Sequence, residues 1–199
     1  MAGAPASNPY VSHAEYLALE EKSVTKHEWL DGVVYDLDAQ NMAGGTPDHA
    51  GLAAAVTILL GLQLRGKPCR AFSSDRKVRV PATGLSTYAD LAVVCGKLET
   101  ATEDANAVTN PTLLVEVLSD STEAYDRGEK FAHYRRLPSL REYVLVSQRA
   151  RRIEVWRKNE GARWELAQEA EAGQQAALVS IGASLAVDDV YADPLAQSG

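Results

Sequence analysis

The sequence predicts an α/β fold, with a central mixed β-sheet flanked by helices, an N-terminal helix and a small extra β-hairpin. Three observations lead there. Two apolar runs, residues 88–95 and 112–118, are nearly continuous, as in strands buried on both faces. An Ala/Leu-rich segment, residues 48–64, has the pattern of a largely buried helix. The remainder alternates between strand-like and helix-like segments, and one sheet with helices on its faces is the simplest way to bury both.

In chain order, residues 1–11 read as a disordered arm. Ser12-His13-Ala14-Glu15 fits a capping box, in which the serine oxygen accepts from an orphan N–H and the glutamate reaches back, so a short helix should follow to about residue 21. His27-Glu28-Trp29-Leu30 leads through the Asp31-Gly32 turn into a strand over 33–37. Residues 41–47 form a loop. The segment 76–80 alternates basic and apolar residues, which predicts one solvated and one packed face. Long loops are expected at 81–86 and 96–111. A helix beginning near 121 or 126 should end before Pro138. Residues 142–147, 151–157 and 164–168 read as strands, the last two joined over Asn159-Glu160-Gly161, and 187–191 adds a helical turn. Residues 12–192 then form a single domain, followed by a flexible tail at 193–199.

Of the 199 residues, 46% are hydrophobic and 24% charged, the balance of a soluble globular protein. Two cysteines, Cys69 and Cys95, are too few for a disulfide framework and lack CxxC spacing, which favours a reducing compartment. The first ten residues show no signal-type run, and the longest apolar stretch, 52–64, is too short for a bilayer span of about 20 residues. The expected location is the cytoplasm. A net charge of −7 argues against a nucleic-acid partner, but 16 of the 20 Lys and Arg residues fall within 65–79 and 126–158. Those two stretches are expected to meet phosphates without reading bases. A pair of solvated faces would account for the same segregation.

The strongest local anomaly is acids inside apolar runs: Asp90 in Tyr88-Ala89-Asp90-Leu91-Ala92-Val93-Val94, and Glu116 in Leu113-Leu114-Val115-Glu116-Val117-Leu118. A charge there is strongly penalised unless it is paired, hydrogen-bonded or bound to metal. Two carboxylates ~4 Å apart repel by roughly 4 kcal/mol at an effective dielectric of 20, so such a pair shares a proton, recruits a cation or lies further apart. Magnesium suits the pair, because it takes oxygen ligands and binds through one or two carboxylates plus substrate phosphate. An arginine at a strand end would serve each acid alone. Downstream, Asp126, Lys130, His133 and Tyr134 share a helical face, and a lysine there can orient a nucleophilic water or stabilise phosphoryl oxygens. A solvated Asp126–Lys130 pair is the plainer reading. The histidines at 13, 27, 49 and 133 lack zinc-ligand spacing, and His49, beside Asp48, reads as part of a helix cap. Gly44-Gly45 is not a P-loop, and the three tryptophans read as packing.

Taken together, the segments around Glu28-Trp29-Leu30-Asp31-Gly32, Pro47-Asp48-His49, Asp90, Asn110-Pro111, Glu116-Val117-Leu118-Ser119, Asp126-Arg127-Gly128-Glu129-Lys130 and Glu142-Tyr143-Val144-Leu145-Val146 resemble the Uma family of bacterial restriction-endonuclease-like proteins, which have the PD-(D/E)XK fold. The resemblance spans about residues 12–190. It implies a magnesium-dependent endonuclease acting on DNA, manganese being a substitute. It implies metal ligands Asp90 and Glu116, a third acid Glu28, an assisting Lys130, and a cleft lined by His49, Asp126 and Tyr134. Double-stranded DNA and a homodimer are the expected partners, since cutting both strands calls for two sites related by two-fold symmetry. Two positions depart from the broader superfamily pattern: Ala89 replaces the proline before the first aspartate, and Leu118 replaces the lysine two residues after Glu116. The alternative is a catalytically inactive member that binds nucleic acid or a protein. A carboxylate pair acting on a sugar is a third reading.

Overall fold

The chain breaks direction at residues 89–90, and that corner organises everything around it. In the computed structural model, which describes residues 10–37, 46–193 and 195, the single strand expected over 88–95 is two strands in two different sheets. Strand β5 (Leu85–Tyr88) belongs to a five-stranded sheet, and β6 (Leu91–Cys95) to a six-stranded one. Asp90 therefore sits between two strands rather than within one.

The smaller sheet begins with the predicted hairpin, β1 (His27–Leu30) and β2 (Val33–Asp36). Its turn needs left-handed backbone at both central residues, with φ of 45° at Asp31 and 91° at Gly32. A Cβ on Gly32 would also collide with the Tyr10 ring at 2.2 Å. The Val11 N–H donates to the Gly32 carbonyl at 2.8 Å, and the Trp29 indole donates to the Val11 carbonyl at 2.8 Å. Residues 10 and 11 are thus held against the hairpin, unlike the disordered arm expected; residues 1–9 of that arm, and 41–45 of the loop, lie outside the described residues. Helix α1 (His13–Glu20) starts at Ser12 with both halves of the capping box in place. The sheet is completed by β5, β4 (Lys77–Val80) and a short β7 (Ala107–Val108) inside the expected 96–111 loop. Strand β4 departs from its prediction: Lys77 is buried, its ammonium 2.7 Å from the buried Asp104 carboxylate.

The larger sheet has the order β11-β10-β9-β8-β6-β3, with β3 (Cys69–Ser73), β8 (Leu113–Leu118), β9 (Glu142–Ser147), β10 (Arg152–Lys158) and β11 (Trp164–Glu171). Neighbours run antiparallel except β8 and β9, which are parallel and joined by the expected helix. That helix is three short pieces: α3 (Glu123–Tyr125), a π-helical turn over Asp126–Lys130, and α4 (Phe131–Tyr134). Helix α2 (Pro47–Gln63) is buried along one stripe, Leu52, Val56 and Leu60, and so is less enclosed than predicted. It packs on one face of the larger sheet with α5 (Val187–Val190) and a hairpin the sequence did not reveal, β12 (Gln175–Leu178) with β13 (Ala183–Ala186). The opposite face packs against α4 and residues of the smaller sheet, giving a second core. The mixed α/β architecture agrees with the predicted fold class. One reading of the cysteines does not: Cys69 and Cys95, cross-strand partners on β3 and β6, are joined by a disulfide. Among the described residues, no helix is long and apolar enough to cross a membrane.

Candidate metal centre and cleft

A cleft of about 1030 Å³ opens where the two sheets diverge, and both anomalous acids line it. The antiparallel register of β6 and β8 pairs Leu91 with Val115, which brings Asp90 alongside Glu116. Asp90 Oδ2 accepts from the Val117 N–H at 2.7 Å, so the corner is fastened to β8 one residue beyond Glu116. Among the described residues, no arginine is paired with either acid. His49, from the first turn of α2, places Nε2 3.3 Å from Asp90 Oδ2, and that contact holds the imidazole pKa above its ordinary value against the opposing effect of burial. The capping role expected near His49 belongs to Thr46, whose Oγ1 accepts from the His49 N–H. His49 itself faces the cleft.

Glu116 is only 3% exposed. Burial pushes its pKa well above the usual carboxylate range; Lys130 opposes this, while Asp126 and Asp90 add to it. Lys130 Nζ lies 2.9 Å from Glu116 Oε1 and 3.4 Å from Asp126 Oδ1. Burial disfavours the ammonium, but those two carboxylates outweigh it and keep Lys130 protonated well above its ordinary pKa. The Tyr134 hydroxyl donates to Glu116 Oε1 at 3.1 Å. Tyr134 is fully buried, so it braces Glu116 from behind instead of lining the cleft as expected. His133, predicted on the same helical face, is absent from the cleft wall.

Glu28 comes from β1 in the other sheet and is equally buried. One carboxylate oxygen accepts from the Tyr125 hydroxyl, and the other, Oε2, is buried without a hydrogen-bond partner. Tyr125 was not singled out from the sequence, since a tyrosine in Ser121-Thr122-Glu123-Ala124-Tyr125 carries no pattern that tells a cleft residue from a surface one. The centre thus joins Glu28, Asp90, Glu116 and Asp126 around a single lysine, with His49 at the side. Four acids facing one ammonium leave an electrostatic deficit that a cation or a proton must offset.

The donors fit a hard divalent ion. Asp90 and Glu116 supply carboxylate oxygens to one cleft, and the orphaned Glu28 Oε2 is a buried acceptor in the same wall. Among the described residues no three His, Cys, Asp or Glu side chains form a ready-made cage. Magnesium does not require one, because it commonly retains water and uses one or two carboxylates.

The basic stretches contribute little to the cleft itself. Of the 16 Lys and Arg in 65–79 and 126–158, only Lys130 and Arg149 line the cleft. Others are drawn into the fold: Lys77 to Asp104, Arg79 to Glu103, Arg127 to Glu154 and Arg157 to Glu142. A Ser86–His13–Glu103 array resembles a nucleophile triad, with His13 Nε2 3.1 Å from Ser86 Oγ. Ser86 is buried and the His13–Glu103 contact is 3.9 Å, so the array is part of the packing under α1.

The family model described as "Putative restriction endonuclease", Uma2, matches residues 13–188. Two Synechocystis proteins described as uncharacterized are similar in sequence. One, slr1290, is 38% identical over 183 residues, covering 92% of each chain. The other, sll1609, is 31% identical over 161 residues, covering 81% of this chain and 88% of its own. In structure, the chain is similar to a crystal structure from Anabaena variabilis described as "a putative nuclease belonging to DUF820". The TM-score is 0.68 with 15% identity, covering 89% of this chain and 95% of that one.

Proposed function

We propose, from the premise that this chain belongs to the Uma2 family, that it is a metal-dependent endonuclease that hydrolyses phosphodiester bonds of DNA. The observation that carries this reading is the buried Glu116–Lys130–Asp126 cluster beside Asp90 in one cleft, an excess of hard oxygen donors with a single fixed ammonium among them. Asp90 and Glu116 would hold magnesium, or manganese in its place, with Glu28 as a further acceptor. Bound there, the ion supplies Lewis-acid polarisation of a phosphoryl oxygen and lowers the pKa of an attacking water.

The chain's own residues supply the rest. His49 and the Val117 N–H fix the Asp90 carboxylate, so it need not reorganise during reaction. Lys130, held by Glu116 and Asp126, places positive charge where charge develops on the phosphoryl oxygens. Tyr134 fixes the Glu116 carboxylate, and Tyr125 that of Glu28. Lys130 comes from the helix after β8, which explains how Leu118 can stand where the wider pattern has lysine: Leu118 points into the second core, and the ammonium reaches Glu116 from the π-helical turn.

The test is nicking of supercoiled plasmid with magnesium or manganese by wild type, Asp90→Asn, Glu116→Gln and Lys130→Met. Metal-dependent nicking that falls by about 10²–10³ in each variant is the expected result. Nicking that survives Glu116→Gln would remove the proposed centre.

A further inference from the structure

Resting on the nuclease reading, the charge and shape of the cleft bear on which form of DNA it takes. We infer that the substrate is single-stranded DNA, including an opened stretch of duplex, and that an intact double helix is a poor one. Among the described residues, six carboxylates line the cleft: Glu28, Asp48, Asp90, Glu116, Asp120 and Asp126. Three cations face them, and all three are engaged: Lys26 with Asp75 at 2.9 Å, Arg149 with Asp120 at 2.6 Å, and Lys130 within the buried centre.

A duplex carries one phosphate charge per ~1.7 Å of axis, and proteins that grip it commonly neutralise about 6–10 phosphates. Among the described residues this cleft has no comparable set of free cations, and a bound divalent ion offsets only part of its acid excess. A single strand halves the charge density and brings base faces that prefer apolar or aromatic surfaces. Those surfaces are present. Val24, which is fully exposed, and Ala53 line the cleft among the carboxylates, with Tyr88, whose ring carries the Lys26 ammonium over it, beside them. Bases stacked inside a duplex cannot reach them, whereas bases of an unpaired strand can.

The experiment compares initial cleavage rates, in magnesium and in manganese, on three fluorescently labelled DNAs: one oligonucleotide alone, the same strand annealed to its full complement, and that duplex carrying a central unpaired bulge. The expected result is cleavage of the free strand about tenfold or more faster than of the full duplex, with cuts in the third DNA confined to the bulge. A full duplex cut as fast as, or faster than, the free strand overturns the inference and leaves the nuclease reading intact. Folded protein, verified by circular dichroism, that cuts none of the three with either metal defeats the nuclease reading and this inference with it.

Discussion

Arg127 reaches both Glu154 oxygens, at 2.8 and 2.7 Å, and Glu123 at 2.8 Å, tying the helix after β8 to strand β10. The guanidinium beside Glu154 holds its carboxyl below the usual carboxylate range, against the opposing effect of burial. A carboxylate whose folded pKa is depressed stabilises the fold fully above its unfolded pKa and loses that contribution as pH falls through the folded value. Glu154→Gln should therefore destabilise the protein at pH 7, and the gap from wild type in denaturation midpoint should close as the solution is acidified; a gap that widens on acidification would contradict the assignment. The same scale shows what a buried acid in a strand does and does not signify. Asp90 and Glu116 were legible as anomalies because a charge in an apolar run demands a partner. Glu142 opens an equally apolar strand and is fully buried, yet it is a structural pin. Its carboxylate accepts from Arg157 at 2.8 Å, from the Val179 and Ser180 N–H groups at 3.2 and 3.0 Å, and from the Ser180 hydroxyl. An acid in an apolar run therefore announces a partner without saying whether that partner is a metal or an arginine. What separates the cases is saturation: Glu142 is surrounded by donors, whereas the Glu28 and Glu116 centre has one ammonium for several carboxylates.

Among the elements, helix α1, the β1–β2 hairpin, β8 and β9 followed directly from capping, turn chemistry and apolar runs, because in each the local signal and the tertiary role agree. Two features that shape the site carry no such signal. The corner at residues 89–90 interrupts an apolar run with no Gly or Pro to mark it, so the sequence read as one strand. The π-helical turn at residues 126–130 likewise has no periodicity of its own, and it displays Asp126 and Lys130 to the buried side. Gly128 lies within this turn, and a Cβ there would meet nothing within 4 Å. Gly128→Ala should raise stability by about 0.5–1 kcal/mol, as removing a helical glycine does, without changing cleavage. Unaltered stability combined with lost cleavage would show instead that the π-turn must flex for activity.

Over the whole molecule, the larger sheet stands between two cores, and the disulfide ties its edge strand β3 to β6 at the end away from Asp90. Two cysteines 26 residues apart gave no sign of this, because cross-strand pairing depends on a register that the sequence does not display. Closing a loop of that length restricts the unfolded chain by about 3.5 kcal/mol, so Cys69→Ala with Cys95→Ala should lower unfolding stability by up to that amount in oxidised protein. A double variant as stable as the oxidised wild type would show that the bond contributes nothing to the fold. The global charge distribution was the least legible property. Several cations of the basic stretches, Lys77, Arg79, Arg127 and Arg157, are committed to ion pairs within the fold, and few others reach the cleft, which is left acidic. That acidity underlies the central claim, that Asp90 and Glu116 form a divalent-metal centre. Calorimetric titration of magnesium and manganese into wild type and Glu116→Ala tests it most directly. The account predicts saturable binding at one site in wild type and its loss in a variant that remains folded. Equal binding by the two proteins, or none by wild type even with DNA present, would contradict it.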